Sequence, residues 1–183
     1  MKNVFYFWIC IAIWLLSACS SQKKGDGADI HVLMKDSVDA SGLQRMQVSD
    51  TKTTFTYKGK DYQSNVVRRP DDGLPVVINE QGEKFVDNRI TLRITSGGKS
   101  VVDKAFTKES FASLVDARFL KHSILEGLVY DKTTPKGIVY AASICYPQTD
   151  LYIPLSLTVT PDGKISMAKE ELLEDLYETD SIN

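Results

Sequence analysis

The residue with the clearest potential for covalent chemistry is Cys19, in a chain of 183 residues that contains three cysteines. It lies just beyond the apolar run Val4–Leu16 and is directly preceded by Leu16, Ser17 and Ala18. This order is typical of a bacterial lipobox, in which the chain is cleaved just before the cysteine and the thiol is acylated. We therefore predict a lipid attached to this cysteine through a thioether.

The residues before Cys19 have the features of a signal peptide. Lys2 supplies a positive charge, and the apolar run that follows is shorter than the roughly 20 residues that a membrane-spanning helix needs. An ordinary cleavage site fits poorly, because cutting after Ala18 would place the bulky Leu16 at the third position back. We predict a signal peptide over residues 1–18. A conventional signal peptide with an incidental cysteine is the alternative.

The predicted lipid makes the membrane the first partner of this chain. One acyl chain binds a bilayer only reversibly, whereas the three chains of a bacterial lipoprotein would keep the protein on its membrane. Ser20 after the cysteine resembles outer-membrane sorting, and the first acidic residue, Asp26, comes late enough to favour the periplasmic face. Exposure at the cell surface stays open.

Cys145 is the second cysteine that the mature chain would retain. Its apolar surroundings, "IVYAASICY", predict a buried and inert thiol. A nucleophilic pair with His122 is the alternative. Because Cys10 would leave with the signal peptide and Cys19 would be acylated, no disulfide is expected within the mature chain.

Acidic residues leave a hydrolase open, since glycoside hydrolysis needs only two suitably spaced carboxylates and no local motif. The sequence offers no nucleophile elbow, no zinc-binding spacing and no phosphate-binding glycine loop, so it predicts no metal site and no cofactor. An enzyme is therefore the less favoured interpretation. The available acids are Asp71, Asp72, Glu83, Asp87, Glu126, Asp131 and Asp150.

Two surface segments could bind a ligand or a partner. One loop combines aromatic faces with hydrogen-bonding groups, a mixture suited to a sugar, a peptide or a partner protein. Arg68 and Arg69 could grip a carboxylate or phosphate, or could pair with Asp71 and Asp72. A hairpin loop shaped only by its turn residues is the alternative for the first segment. Its candidate residues are Tyr146, Gln148, Thr149, Asp150 and Tyr152.

The charge of the chain argues against nucleic acid as a partner. The formal net charge is -2, and lysine and arginine are spread along the sequence rather than gathered in a basic stripe. An unknown protein or glycan is therefore the expected second partner, beside the membrane.

The sequence predicts two β-hairpins, at residues 53–67 and 88–106. Apolar residues alternate on both sides of Lys58–Lys60 in the first and of Gly97 and Gly98 in the second. The period then changes, and residues 107–123 predict one amphipathic helix that begins after Thr107. Its apolar stripe consists of Phe111, Leu114, Val115, Phe119 and Leu120.

Four more strand-like runs follow, at residues 124–131, 137–147, 151–160 and 164–168. Pro154 cannot donate a hydrogen bond to a neighbouring strand, which predicts an edge strand or a bulge there. The order of elements predicts an α+β fold, a mostly antiparallel β-sheet built from hairpins with one amphipathic helix packed on it.

The polar residues 19–50 predict a lipidated N-terminus and a flexible tether. Residues 51–178 are predicted to form a single α+β domain, followed by a tail at 179–183. The stretch 169–180 is predicted to be a short acidic helix or a frayed end.

Four blocks of the sequence resemble the Bacteroidetes lipoprotein family called domain of unknown function 4738. The resemblance covers most of the chain after the predicted tether and implies an envelope lipoprotein. That family has no established activity, so it implies no catalytic residues. The blocks are "RRPDDGLPVVINEQGEKFVDNRITLRI", "FTKESF", "ILEGLVYD" and "AASICYPQTDLYIPLSLTV".

The favoured function is a non-enzymatic, lipid-anchored envelope protein whose domain binds a ligand or partner. A hydrolase would instead require acids that converge in a cleft with shifted pKa values. A carrier of an apolar ligand would require a sizeable cavity between the helix and the sheet.

Overall fold

The computed structural model describes residues 38–170. The predicted signal peptide, Leu16–Cys19 of the lipobox, the start of the tether and the C-terminal tail lie outside these residues. The described strands are β1 (Leu43–Gln44), β2 (Ser49–Tyr57), β3 (Lys60–Pro70), β4 (Val77–Ile78), β5 (Lys84–Phe85), β6 (Asn88–Ser96), β7 (Lys99–Phe106), β8 (Ile124–Thr134), β9 (Gly137–Cys145), β10 (Tyr152–Val159) and β11 (Ile165–Lys169).

Two four-stranded antiparallel sheets form the main body of the described chain. The first has the order β2-β3-β6-β7 and the second the order β11-β10-β9-β8. Alternate residues of both sheets are buried in one shared apolar cluster, as in a β-sandwich. On β6, for example, Ile90, Leu92 and Ile94 are fully buried, and on β10 Leu155 and Leu157 are as well. The prediction of a mostly antiparallel sheet built from hairpins is confirmed.

Both predicted hairpins form where the sequence places them. In the first, β2 pairs with β3 in unbroken register from Ser49 opposite Arg68 to Tyr57 opposite Lys60. The connecting residues Lys58 and Gly59 have φ angles of 50° and 73°. Two consecutive left-handed residues are typical of the two-residue turn whose twist matches that of paired strands.

The predicted helix over residues 107–123 is wrong. This segment contains a 3₁₀ turn, Lys108–Phe111, and the short helix α1, Ala117–Lys121. Between them Asp116 starts a new helix, because its carboxylate accepts hydrogen bonds from the backbone N–H groups of Arg118 and Phe119. The fold is therefore β-rich rather than a sheet covered by one amphipathic helix.

A third, small sheet was not predicted. It has the order β1-β5-β4, with β1 parallel to β5, and it contributes to a separate apolar cluster at one end of the second large sheet. β1, like the start of β2, precedes residue 51, so paired backbone begins before the domain start expected from the sequence. The cluster consists of Met46, Val77, Phe85, Ile124 and Cys145.

Pro154 lies in an inner strand, contrary to both alternatives that the sequence suggested. β10 pairs with β9 over its whole length, but its pairing with β11 stops at Leu155, which lies opposite Lys169. The Pro154 carbonyl still accepts a hydrogen bond of 3.0 Å from the backbone N–H of Glu170. The proline nitrogen faces this same last partner of the neighbouring strand, so the ladder loses only the final bond at its end.

A buried ion pair joins the 3₁₀ turn to the loop before β6. Lys108 Nζ lies 3.5 Å from Asp87 Oδ2 and donates a 2.7 Å hydrogen bond to the Ser123 carbonyl. Asp87 Oδ1 accepts from the backbone N–H groups of Asn88 and Leu125, at 2.7 and 2.9 Å. Burial raises the pKa of Asp87, and Lys108 and these backbone donors offset part of that shift.

Lys108→Met tests this pair through the pH dependence of stability. When the pKa of a carboxyl is higher in the folded than in the unfolded state, the protein loses stability as the pH rises through the folded-state pKa. Removing Lys108 raises the folded-state pKa of Asp87 further. We expect a loss of about 3–5 kcal/mol near neutral pH, and a smaller loss near pH 4. Denaturant unfolding at both pH values measures this. The exposed Lys99→Met is the control, and an equal loss at both pH values would contradict the assignment.

Gly163 permits close contact between the β10–β11 turn and the first sheet. Its φ is 81°, and a Cβ added there would lie 2.5 Å from the Val101 carbonyl oxygen. Gly59 has a similar φ of 73° but open space around it. Gly59→Ala therefore tests backbone strain alone, with an expected cost of about 1–2 kcal/mol.

Gly163→Ala is expected to cost about 1–3 kcal/mol more than Gly59→Ala, because it adds a steric clash to the same strain. Chemical denaturation of the two variants side by side gives the difference. Equal costs would show that the turn moves away from β7 without penalty.

Candidate functional site

An open groove of about 320 Å³ lies where two turns meet the end of α1. One side is the turn between β4 and β5, and the other is the loop between β9 and β10. His122, the residue after α1, lies between these two sides. The lining residues are Asn79, Glu80, Gln81, His122, Tyr146, Pro147, Thr149 and Leu151.

Backbone hydrogen bonds close the β9–β10 loop, which forms one side of the groove. Tyr146 N–H donates to the Leu151 carbonyl at 2.9 Å, and Thr149 N–H donates to the Tyr146 carbonyl at 3.2 Å. Gln148, with a φ of 61°, turns its side chain away and donates from Nε2 to Gln44 Oε1 at 2.6 Å. The loop is thus tied to β1, and Tyr146 and Thr149 are left at the groove.

The opposite side is shaped by Asn79. Its Oδ1 accepts hydrogen bonds from the backbone N–H groups of Gln81 and Glu83, at 3.1 and 2.9 Å, and its Nδ2 donates to the Glu83 carboxylate. Asparagine commonly closes turns in this way. Glu80 and Gln81 at the tip are exposed beside the groove.

His122 connects the two sides. It caps the C-terminus of α1, and its Nδ1 lies 2.9 Å from the Ile78 carbonyl oxygen of β4. Because a carbonyl only accepts, Nδ1 carries the proton in this contact. Neutral His122 therefore has its acceptor lone pair on Nε2.

An aromatic pair fixes the ring of Tyr146. Phe119 of α1 stacks on it with ring centroids 4.4 Å apart and planes 14° from parallel. The half-buried Tyr146 therefore has one face covered by Phe119, and what it exposes to the groove is the opposite face or the ring edge. With Pro147 and Leu151 it forms an apolar wall facing a polar turn.

The sequence matches the model of the family described as Domain of unknown function (DUF4738) over residues 28–167. This chain belongs to the DUF4738 family. No curated protein matches it in sequence.

The structure of this DUF4738 chain brings together only part of the predicted binding segment. Tyr146 and Thr149 line the groove, whereas Gln148, Asp150 and Tyr152 are not among its lining residues. Asp150 and Tyr152 are exposed, with 41% of Tyr152 accessible.

Arg68 and Arg69 do not form the predicted binding site for a carboxylate or phosphate. Arg68 points inward and donates to the carbonyls of Glu126 and Gln47, at 2.7 and 3.2 Å, and burial lowers its pKa. Arg69 is exposed and lies opposite Arg89 in the β3–β6 pairing.

The carboxylates suggested as partners for these two arginines bind other residues. Asp71 pairs with Arg89 at 2.5 Å, which lowers the pKa of Asp71. Asp72 pairs with Arg45 at 2.8 Å.

Cys145 is buried and its thiol is held protonated. Burial is the main cause that raises the pKa of Cys145 far above that of a free thiol, and the nearby Glu126 carboxylate raises it further. Glu126 also accepts a 2.9 Å hydrogen bond from the Ser143 hydroxyl. Since the thiolate is the nucleophilic form, this geometry favours the inert interpretation of Cys145.

Sequence reasoning missed most of the groove. The binding residues predicted from the sequence do not include Asn79, Glu80, Gln81, Pro147 or Leu151. His122 is predicted only as a possible base for Cys145. The signal that could have found the turn was "NEQG", an asparagine and a glycine between two short apolar runs.

Two further features bear on function. Among residues 38–170, no group of three or more His, Cys, Asp or Glu side chains is placed to hold a metal ion. None of the helices in that range is long and apolar enough to cross a membrane.

Asn79→Ala tests whether this side chain orders the groove. Removing the carboxamide leaves the N–H groups of Gln81 and Glu83 without their acceptor, so we expect these two amides to exchange hydrogen at least several times faster. The stability cost should be about 1–2 kcal/mol. Hydrogen-exchange NMR is the measurement, with Gln81→Ala as control. Unchanged exchange in Asn79→Ala would show that the backbone alone holds the turn.

Proposed function

We propose that this DUF4738 chain is a bacterial cell-envelope lipoprotein whose β-rich domain is a binding module. The observation that carries the proposal is Leu16-Ser17-Ala18-Cys19 at the end of an apolar run with a positive charge before it. The family match begins at residue 28, shortly after the proposed lipidation site. The four blocks quoted above support a place among Bacteroidetes lipoproteins.

The proposed location is the outer membrane, with the domain facing the periplasm. Ser20 after the cysteine and the late first acid at Asp26 support this face. We propose that the polar stretch after Cys19 holds the domain clear of the membrane headgroups.

Binding rather than hydrolysis is supported by how the candidate acids are used. Asp87 is enclosed by Lys108 and two backbone donors, Asp71 pairs with Arg89, and Glu126 accepts from Ser143. These carboxylates are bound by other residues of the domain and do not line the groove. The groove instead offers an ordered aromatic ring and several hydrogen-bonding groups, as binding sites do.

The packing between the two sheets favours this proposal over a carrier of an apolar ligand. Tyr140, Phe106 and Phe111 are among the large side chains that fill the shared core and are almost completely buried. Native interiors of this kind are close-packed and leave little room for a hydrophobic guest.

Cys19→Ser tests the anchor. Cells producing the wild-type chain should incorporate an alkyne-labelled palmitate into the protein, and the protein should fractionate with membranes. Cys19→Ser should lose the label and should either enter the soluble fraction or remain unprocessed. Cys145→Ser is the control and should keep both label and membrane association. Unchanged fractionation of Cys19→Ser, or label retained by it, would refute lipidation at this residue.

A further inference from the structure

We infer that the groove beside Tyr146 binds one neutral sugar residue, such as the end of a glycan chain. This inference rests on the proposed function, because it names the ligand class of the same binding module. Its first support is size. A groove of about 320 Å³ is at the small end of ligand sites, which span about 300–1,000 Å³, so it suits a single ring better than a cofactor.

The second support is the apolar wall. Stacking on Phe119 at 4.4 Å holds the ring of Tyr146 in one orientation before any ligand arrives. A pyranose ring presents a patch of C–H bonds on one face, which packs against an aromatic ring much as another apolar group would. Leu151, 54% exposed, extends this wall.

The third support is the set of polar groups facing that wall. Sugar hydroxyls both donate and accept, and the groove supplies acceptors in the Glu80 carboxylate, the Gln81 amide oxygen and, in the tautomer that donates to Ile78, Nε2 of His122. The Gln81 amide N–H₂ adds donors. An apolar aromatic surface beside several hydrogen-bonding groups is the complement of a polyhydroxylated ring.

The same residues disfavour two other ligands. Glu80 is the one carboxylate among the lining residues, so an anionic sugar or a phosphate would meet repulsion there. A peptide strand could add to the edge of β4, but the Ile78 carbonyl there already accepts from His122. A neutral sugar avoids both conflicts.

Saturation-transfer NMR on the full-length chain in detergent tests the inference. The probes are the methyl glycosides of glucose, galactose, mannose and N-acetylglucosamine at millimolar concentration, with trialanine as a peptide probe. We expect at least one glycoside to receive saturation at its ring C–H protons. Tyr146→Ala should reduce the signal at least tenfold, whereas Tyr152→Ala, which removes an exposed tyrosine outside the groove, should leave it unchanged.

Gln81→Ala keeps the test informative if Tyr146→Ala does not fold. It alters an exposed side chain with no part in the turn's hydrogen bonds and should weaken the glycoside signal severalfold. The inference is overturned if no glycoside receives saturation, if both groove variants bind as well as wild type, or if trialanine alone binds through Tyr146.

Native mass spectrometry of the purified chain separates this failure from that of the proposed function. A retained carbohydrate mass that is lost in Tyr146→Ala supports the sugar inference. A retained ligand of another class, lost in the same variant, overturns the sugar inference and leaves the binding module intact. The fate of the lipid on Cys19 is read independently, from the palmitate label.

Discussion

The arrangement of the three sheets depends on the contacts of one buried carboxylate, that of Asp87. Asp87 lies directly between β5 of the small sheet and β6 of the first large sheet. One of its oxygens accepts from Leu125 N–H at the start of β8, and the other faces Lys108 of the 3₁₀ turn. Three parts of the chain that are distant in sequence, around residues 87, 108 and 125, therefore meet at one side chain.

Isolated burial of such a charge is unfavourable, so its neighbours must supply compensation. The two backbone N–H groups and Lys108 provide it, and Lys108 is itself held by the Ser123 carbonyl. The neighbouring Asn88 adds a 3.0 Å hydrogen bond from its amide to the Leu125 carbonyl. Asp87 and Asn88 thus saturate both backbone groups of Leu125, where an apolar core would leave them unpaired.

The geometry of the groove depends on the ion pair between Asp87 and Lys108. Ser123, which accepts from Lys108, directly follows His122, and β5, which ends two residues before Asp87, pairs with β4 beneath the Asn79 turn. A shift of the buried pair would move the imidazole and the turn relative to the Tyr146 loop. Groups that must be held within a fraction of an ångström are best supported by such rigid neighbours.

Local signals in the sequence predicted the hairpins but not what joins them. Alternation and turn residues such as Lys58-Gly59 act over a few positions, and these hairpins form as expected. The predicted helix is absent because Phe111 and Leu120 reach the core from two separate short helical turns and Val115 reaches it from the link between them, and Asp116 caps the second turn. A stripe at helical spacing fixes which residues are buried, not the continuity of the backbone between them.

The groove was only partly predictable for a similar reason. Tyr146 and Thr149 belong to a loop whose composition is visible in the sequence, whereas Asn79 and His122 reach it through pairings of strands only two residues long, too short to produce a periodic signal.

The three parts of the groove are each fixed by hydrogen bonds that do not involve a ligand: Gln148 to Gln44, His122 to Ile78, and Asn79 to its own turn. A site ordered in this way loses little conformational entropy when it is occupied. Weak contacts with a small ligand can then yield measurable affinity. A lipid anchor would add to this effect, since many copies on one membrane could engage a repetitive ligand together and exceed the affinity of a single groove.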